Sequence, residues 1–486
     1  RFLVYNPLFG RSHVNFMGKL ADVLVDAGHE VVMLAPVVNY KATSVGSTKV
    51  QKVIKVPPSP KSIEYTDVTA DTTSSNMWRS QSFTTVWKAF YKLFSIVSKK
   101  SFLATLNHPG LLDSLRAEHF DAAISEPMDK CGYGIFHYLG IKNVAASLSI
   151  AAFEGSFEVT GNPSFPSYVP VANTLSLSFG KLFIPYMSAP IEQLFRDKFG
   201  TDFPGIAELL GQSSLWFLNN EPLIEFPRPI THQIIDIGGI SVSTGHSPLN
   251  ETWSALLDLR PHSVLLSFGT VAKSSLMPDE YKQSIREVIN FPDVTFIWKY
   301  EKPEHKISEG IENLFETTWV PQNDLLYDSR LSLFITHCGQ GSTTEATTAG
   351  VPLIVIPVLA DQKRNAATGI VLEKEALERT KELADAINEV LENPKYRDNA
   401  RAVGEMIRSR PFSPRETFVR NMEFLARFGP LRQLDHAGKE LNFIQYYIID
   451  VLIFLSAIAI TIVCVVFRIA KLLLSLCFKS AKAKKE

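Results

Sequence analysis

The chain has 486 residues, about three times the usual length of one domain, so two or three compact units are expected. Apolar residues make up 45% and charged ones 20%, which excludes a disordered chain, and 49 Lys plus Arg against 50 Asp plus Glu leave no basic excess for binding nucleic acid. Only four cysteines occur, Cys464 and Cys477 in or beside an apolar C-terminal run and Cys131 with Cys338 sufficient for one bridge at most, so the fold is not built on disulfides. The 32 Phe suggest broad apolar packing or a site for an apolar ligand.

The chain opens at Arg1, without Met, directly in the strand-like Phe2-Leu3-Val4-Tyr5, which reads as a mature chain whose signal peptide has been removed. Gly10-Arg11-Ser12-His13 then leads into a helical pattern from Val14 to Ala27, and Glu30–Ala35 reads as a second strand. Val86, Trp87, Phe90, Tyr91, Phe94 and Val97 recur at helical spacing among lysines, the pattern of a helix packed on a sheet or lying on a membrane surface. Asp121–Ile124 and Asn143–Leu148 continue the strand series, and residues 155–185, dense in Phe, Pro and Ser, read as a long irregular insertion. Pro227–His262 is linker-like in composition and carries a glycosylation sequon at Asn250. A second series follows, with strands at Ser263–Phe268, Thr295–Trp298, Leu331–Thr336 and Pro352–Pro357. Apolar strands alternating with helices indicate βαβ units, so the fold class is α/β with two doubly wound, Rossmann-like domains.

Near the C-terminus Val451–Phe467 contains no charge, and Ile448 and Ile449 extend the run. About 20 such residues cross a bilayer, which predicts a transmembrane helix over 448–467, with a buried core helix as the alternative. Arg468, Lys471, Lys479, Lys482, Lys484 and Lys485 follow it, so the tail is expected on the cytoplasmic side and the body in the lumen. Lys482 and Lys484 resemble a dilysine retrieval signal of the endoplasmic reticulum, or serve simply as stop-transfer charge.

The chemistry concentrates in the second half. Trp319-Val320-Pro321-Gln322 precedes Phe334-Ile335-Thr336-His337-Cys338-Gly339-Gln340-Gly341-Ser342-Thr343-Thr344-Glu345, and Asp361-Gln362 follows. A strand, a glycine turn and a helix start offer free N–H groups and a favourable dipole to a phosphate. His337 and Ser342 add donors, Trp319 a flat face for a base, Glu345 an acceptor for ribose hydroxyls, and Asp361 with Gln362 partners for a sugar. Singly, each has a plainer explanation as a core Trp, a satisfied His or a helix cap. Gly339-Gln340-Gly341 with Asp361 about 20 residues on also admits an NAD-binding turn, although the third glycine is missing and the motif lies deep in its domain.

The stretch Trp319–Gln362 resembles the signature of the UDP-glycosyltransferase family, most closely its membrane-bound UDP-glucuronosyltransferase branch, and the likeness covers nearly the whole chain. The resemblance implies a GT-B architecture of two domains facing a cleft: an acceptor domain at 1–235, a linker at 236–262, a UDP-sugar domain at 263–430, a juxtamembrane segment at 431–447, the span at 448–467 and a basic tail at 468–486. It implies that Trp319 and Gln322 hold the uracil, Glu345 the ribose, His337, Gly339, Gly341, Ser342, Ser267 and Thr270 the diphosphate, and Asp361 with Gln362 the sugar. Pro166-Ser167-Tyr168-Val169-Pro170 resembles a segment lining the acceptor side. His13 matches the general base, and its carboxylate partner falls at Glu126, where vertebrate members carry Asp; Asp129 is the alternative partner. Arg228, between two prolines, resembles a position able to meet a glucuronate carboxylate, or it pins the linker to the domain surface.

The function so implied is inverting transfer from a UDP-sugar, glucuronate or glucose, to a small lipophilic acceptor, without metal or other cofactor, by a single-pass type I protein of the endoplasmic-reticulum membrane. A weakly catalytic partner subunit, in homo- or hetero-oligomers, and an NAD-dependent oxidoreductase are the other readings.

Overall fold

Residues 1–60, 62–64, 74–79, 88, 91, 98–150, 159–162, 174–242, 247–358, 362–365 and 369–483 are described by a computed structural model of the chain. Two parallel sheets organise residues 1–435. The first comprises β1 (Phe2–Tyr5), β2 (Val31–Pro36), β3 (Lys52–Val56), β4 (Ala122–Ser125), β5 (Val144–Leu148), β6 (Leu215–Leu218) and β7 (Ile234–Asp236), in the order β3-β2-β1-β4-β5-β6-β7. The second comprises β8 (His262–Ser267), β9 (Val294–Lys299), β10 (Leu314–Thr317), β11 (Leu331–Thr336), β12 (Leu353–Val355) and β13 (Ile370–Val371), in the order β10-β9-β8-β11-β12-β13. In each sheet the winding reverses once, between β1 and β4 and between β8 and β11. A crevice opens at such a switch point beyond the carboxyl ends of the strands.

Burial on both faces explains why these strands read as unbroken apolar runs. Successive residues of β1 alternate between two cores: Leu3 and Tyr5 pack with Val32, Leu34 and Ala123, while Phe2 and Val4 pack with Met33, Ala122 and Ile124. The second sheet repeats the plan, with Val264, Leu266, Phe296 and Trp298 on one side and Leu265, Ile297 and Phe334 on the other.

Helices cover these faces. The helices α1 (Arg11–Asp26), α2 (Cys131–Tyr138), α3 (Thr174–Phe199), α4 (Glu251–Asp258), α5 (Gln322–Tyr327), α6 (Gln340–Ala349), α7 (Pro414–Phe428) and the C-terminal α8 (Ile449–Ala483) carry the features discussed below. In α1 the stripe Val14, Met17, Leu20, Ala21 and Leu24 faces the sheet. Gly18 lets the loop at Gly46 approach so closely that a Cβ would lie 2.1 Å from the Gly46 carbonyl carbon.

Three sequence expectations change. Residues 174–185, expected to be irregular, are helical: α3 runs through Pro185 and Pro190 because Ile184, Ile191 and Phe195 bury themselves in the core of the first sheet. The linker contains α4, which Asn250 caps through an Oδ1 that accepts from the Trp253 N–H at 3.1 Å. Lastly, α7, inside the bounds drawn for the second domain, returns to the first sheet. Its Phe418, Met422 and Leu425 stand one turn apart and enter that core, Phe418 meeting Phe217 edge-on at 4.9 Å.

Residues 436–486 form a separate unit. Within it α8 continues past Phe467 through Arg468 and Lys471, and Ile449–Ser475, 27 residues long and containing an 18-residue stretch of mean hydropathy 2.8, is long and apolar enough to cross a membrane. Cys131 and Cys338 are buried and form no disulfide. The amphipathic stretch at 86–97, apart from Lys88 and Tyr91, lies outside the described residues, as does the segment 166–170.

Candidate functional site

Four strand ends of the first sheet converge on one imidazole. His13 stands in the first turn of the helix that follows β1, Glu126 directly follows β4, Ser149 follows β5 and Asn219 follows β6. The His13 Nδ1 lies 2.8 Å from Glu126 Oε2 and 2.8 Å from Ser149 Oγ. The Ser149 hydroxyl donates to Glu126 Oε1 at 2.7 Å, and its backbone N–H donates to the same oxygen at 2.9 Å. With its own proton committed to Glu126, Ser149 accepts from His13, so the proton of the neutral imidazole sits on Nδ1 and Nε2 is the basic nitrogen. Glu126 is 1% exposed and His13 17%, so the carboxylate is sealed beneath a ring that reaches the surface.

The extra methylene of Glu over Asp is therefore absorbed in the fold, since Glu126 reaches His13 at hydrogen-bond distance. Asp129 instead accepts the Cys131 N–H at 2.9 Å at the start of α2. Ser149 and Asn219 were missed in the sequence. Each is an ordinary polar residue just beyond a strand, and their only signal was that position, at the carboxyl end of a strand beside the switch point.

The second sheet presents a matching set at its own switch point. Ser267 ends β8, Gly269 and Thr270 follow, and His337 follows β11. His337 lies between two glycines: a Cβ on Gly269 would come 2.7 Å from its Cε1, and one on Gly339 would come 2.8 Å from its Nε2. Gly269 has φ +75, which only glycine adopts without strain. Cys338 takes φ 62 without that freedom, making the turn between His337 and α6 a strained one. Burial, seconded by the charge of Lys299, pushes His337 down to about 4, so its ring is neutral near pH 7 and offers an N–H without a charge.

Gly339 starts α6, whose first N–H groups, on Gln340, Gly341 and Ser342, lack acceptors within the helix. No atom would lie within 4 Å of a Cβ on Gly341, so this end of the helix is open. The Ser267 hydroxyl is buried with no hydrogen-bond partner among the described residues. Together these are the elements of a diphosphate cradle.

Beside it, Gln322 at the start of α5 donates through Nε2 to Glu345 Oε2 at 2.7 Å and to Ser342 Oγ at 3.2 Å. Burial holds the Glu345 carboxyl above the usual range, with the Gln322 bond opposing. Trp319, 59% exposed, stands three residues before α5 with its indole open to stack on a base. Thr270 is exposed, and Gln362 accepts the Val358 N–H at 2.8 Å. Asp361 lies outside the described residues.

The charge of Arg228 acts on Asp236 of β7, whose carboxyl burial raises to about 6 against the pull of Arg228. The preceding Phe226 and Pro227 line a cavity of about 530 Å³ with Thr347 and Val351, at the opposite end of α6 from Gly339. The NAD-binding alternative fails on topology: the glycine turn follows the fourth strand of its sheet, whereas a dinucleotide fingerprint opens one.

The two halves touch across the crevice. Gln340 Nε2 donates to the Asn219 carbonyl at 2.6 Å, and Arg410 pairs with Glu221 while donating to the Gly238 carbonyl at 2.9 Å.

A family described as UDP-glucoronosyl and UDP-glucosyl transferase matches residues 7–485. The chain is 27% identical to ugt-48 of Caenorhabditis elegans, over 100% of this chain and 97% of that one. It is also 27% identical to UDP-glucuronosyltransferase 1A7 of Mus musculus, over 96% and 90%. Among solved structures, a UDP-glucosyltransferase from Polygonum tinctorium superposes with a TM-score of 0.59 at 17% identity, covering 88% of this chain and 99% of that one. That likeness shows the fold to be of the GT-B type.

The depressed His337 has a measurable consequence. Between its unfolded value near 6.5 and its folded value of about 4, the folded chain binds fewer protons than the unfolded one. Its contribution to stability is therefore complete above about pH 6.5 and is lost as pH falls toward 4. Melting temperature should drop more steeply from pH 7 to 4.5 in the native protein than in His337→Asn; equal slopes would show that His337 takes up its proton as readily folded as unfolded.

Proposed function

Because the chain belongs to the UDP-glucuronosyl and UDP-glucosyl transferase family and is thus a UDP-glycosyltransferase, we propose that it transfers glucuronic acid, with inversion, from UDP-glucuronate to small lipophilic acceptors bearing a hydroxyl, amine or carboxyl group. The bond from His13 Nδ1 to the sealed Glu126 carboxylate is the observation that carries the catalytic part of this reading. It leaves Nε2 as a base facing the crevice.

In the step proposed, His13 Nε2 takes the proton of the acceptor group as the acceptor atom attacks the anomeric carbon. The bond from that carbon to the β-phosphate oxygen breaks, and UDP leaves with its electron pair. Attack opposite the leaving group inverts the centre. Glu126 stabilises the imidazolium that forms. Charge growing on the diphosphate is met by the open N–H groups of α6, by Ser267 and by the neutral ring of His337, with Ser342 and Thr270 beside them. Trp319 and Gln322 would hold the uracil, Glu345 the ribose, and Asp361 with Gln362 the sugar. No metal is assigned a part.

Purified full-length protein tests this directly. His13→Ala should lower transfer by at least about 100-fold, the scale of general-base catalysis, while UDP still raises the melting temperature. EDTA should leave the native rate unchanged. Retained transfer in His13→Ala would remove the base from His13, and loss of turnover with EDTA would require a metal.

The donor is read as UDP-glucuronate because the mouse relative carries that activity in its name. The charge of Arg228 acts on the buried Asp236, which favours Arg228 as a residue that pins the linker over one that meets the sugar carboxylate. UDP-glucuronate should outperform UDP-glucose, and Arg228→Leu should leave the ratio of the two rates unchanged. A selective loss of the glucuronate rate would return Arg228 to the sugar site, and preference for UDP-glucose would make the protein a glucosyltransferase.

The basic residues that follow the apolar segment support a membrane protein of the endoplasmic reticulum with a lumenal body and cytoplasmic tail. The sequon at Asn250, exposed at the start of α4, fits a lumenal surface. On sealed vesicles, added protease should reach only the chain beyond the span; digestion of the body would reverse this topology.

A further inference from the structure

Glu126 and His13 belong to the first sheet, yet their hydrogen-bond chain does not end there. Both donors to Glu126 Oε1 come from Ser149. Ser149 is itself held by Asn219, whose side-chain Nδ2 donates to the Ser149 carbonyl at 2.9 Å. Asn219 in turn accepts, at its own carbonyl, the 2.6 Å bond from the side chain of Gln340. Gln340 is the first residue of α6, one position from the open glycine of the diphosphate cradle. Ser149 and Asn219 are buried, so water does not compete for these bonds.

We propose that Ser149 is a positioning residue for the general base, and that Asn219 and Gln340 make its placement depend on the half of the molecule that holds the donor. The inference rests on His13 being the base. Ser149 fixes the Glu126 carboxylate from one oxygen so that the other meets His13 Nδ1 squarely, and its Oγ shares the same imidazole proton. Gln340 fixes the backbone on which Ser149 depends from the donor side of the crevice. A base aligned in this way is ready when α6 is in place against β6, and misaligned when the two halves separate. Misplacement of a reacting group by about 1 Å costs on the order of 100-fold in rate, so a small slackening of the chain is enough to matter.

The test uses purified full-length protein in detergent, with UDP-glucuronate or UDP-glucose, whichever it turns over faster, and a simple phenol as acceptor. Ser149→Ala should lower kcat by about 10- to 100-fold with the KM for the donor changed by less than about threefold, and Ser149→Thr, which restores a hydroxyl, should recover most of the rate. Gln340→Leu, which keeps the backbone N–H groups of α6, should lower kcat by about five- to tenfold at an unchanged donor KM. The double variant should be no slower than Ser149→Ala alone, since both cut one chain. Multiplicative losses, an unchanged kcat in either single variant, or a loss that appears in donor KM would overturn the proposal. If Ser149→Ala fails to fold, seen as loss of the melting shift with UDP, the kcat of Gln340→Leu decides alone. His13→Ala separates the two levels: if it retains transfer, the base reading has failed, and if it abolishes transfer while Ser149→Ala and Gln340→Leu do nothing, only the chain has failed.

Discussion

A carboxylate that is 1% exposed is tolerable only when its oxygens are filled with donors, because the cost of removing the charge from water is not otherwise recovered. Glu126 sits under that constraint, and much of the surrounding structure follows from it. One oxygen is taken by the two donors of Ser149 and the other by His13. To bring these groups together, the residues just past β1, β4 and β5 must meet at one point. A doubly wound sheet provides that where its winding reverses, with β1 and β4 as neighbours and β5 next in line. The proposed base is thus a product of topology as much as of residue choice. A carboxylate of this burial set elsewhere on the sheet would lack its partners.

Space rather than charge governs the opposite wall of the crevice. His337 is confined by Gly269 on one side and Gly339 on the other, each so close that a single Cβ would collide with the ring. Desolvation of the partly buried imidazole, with Lys299 nearby, keeps it neutral. A neutral ring can still donate a hydrogen bond, and in the proposed role it would do so without the strong ground-state attraction that a cation would exert on a diphosphate. Interactions that grow as the leaving group gains charge lower the barrier more than those already complete in the bound donor. The left-handed backbone at Cys338 belongs to the same arrangement, because it turns the chain from β11 so that Gly339 can open α6 toward the crevice.

How much of this the sequence disclosed depended on the distance between the interacting residues. The donor cradle is local: Gly339, Gly341, Ser342 and Glu345 lie within one strand–turn–helix unit, and its spacing is visible along the chain. Trp319 and Gln322 stand only about a helix length away from it. The base was visible for a different reason, since His13 follows a recognisable strand and Glu126 another. Ser149 and Asn219, by contrast, lie 136 and 206 residues from His13 in the sequence, and no local pattern marks a serine that will feed a carboxylate on the neighbouring strand. The composition of 174–185 misled for a related reason. Pro and Ser lower helix propensity, but burial of Ile184, Ile191 and Phe195 outweighs it in α3. The return of α7 to the first sheet was hidden as well, because an amphipathic stripe states that a helix has a partner without stating which one.

That return helix changes what kind of object the crevice is. If the second half were joined to the first only through the linker, the two walls would be free to drift, and a base on one wall would meet a donor on the other only occasionally. Instead Phe418, Met422 and Leu425 plant the end of the second half in the first half's core. The Arg410–Glu221 pair and the Gln340–Asn219 bond then tie the walls near the chemistry. The apolar anchor is non-directional and strong, whereas the polar ties are few, directional and close to the reacting groups. An anchor of the first kind keeps the halves together, whereas each tie of the second kind depends on the exact placement of two polar groups. Proximity of the two walls is thus set by apolar burial in the return helix, and their register by the few polar bonds beside the crevice.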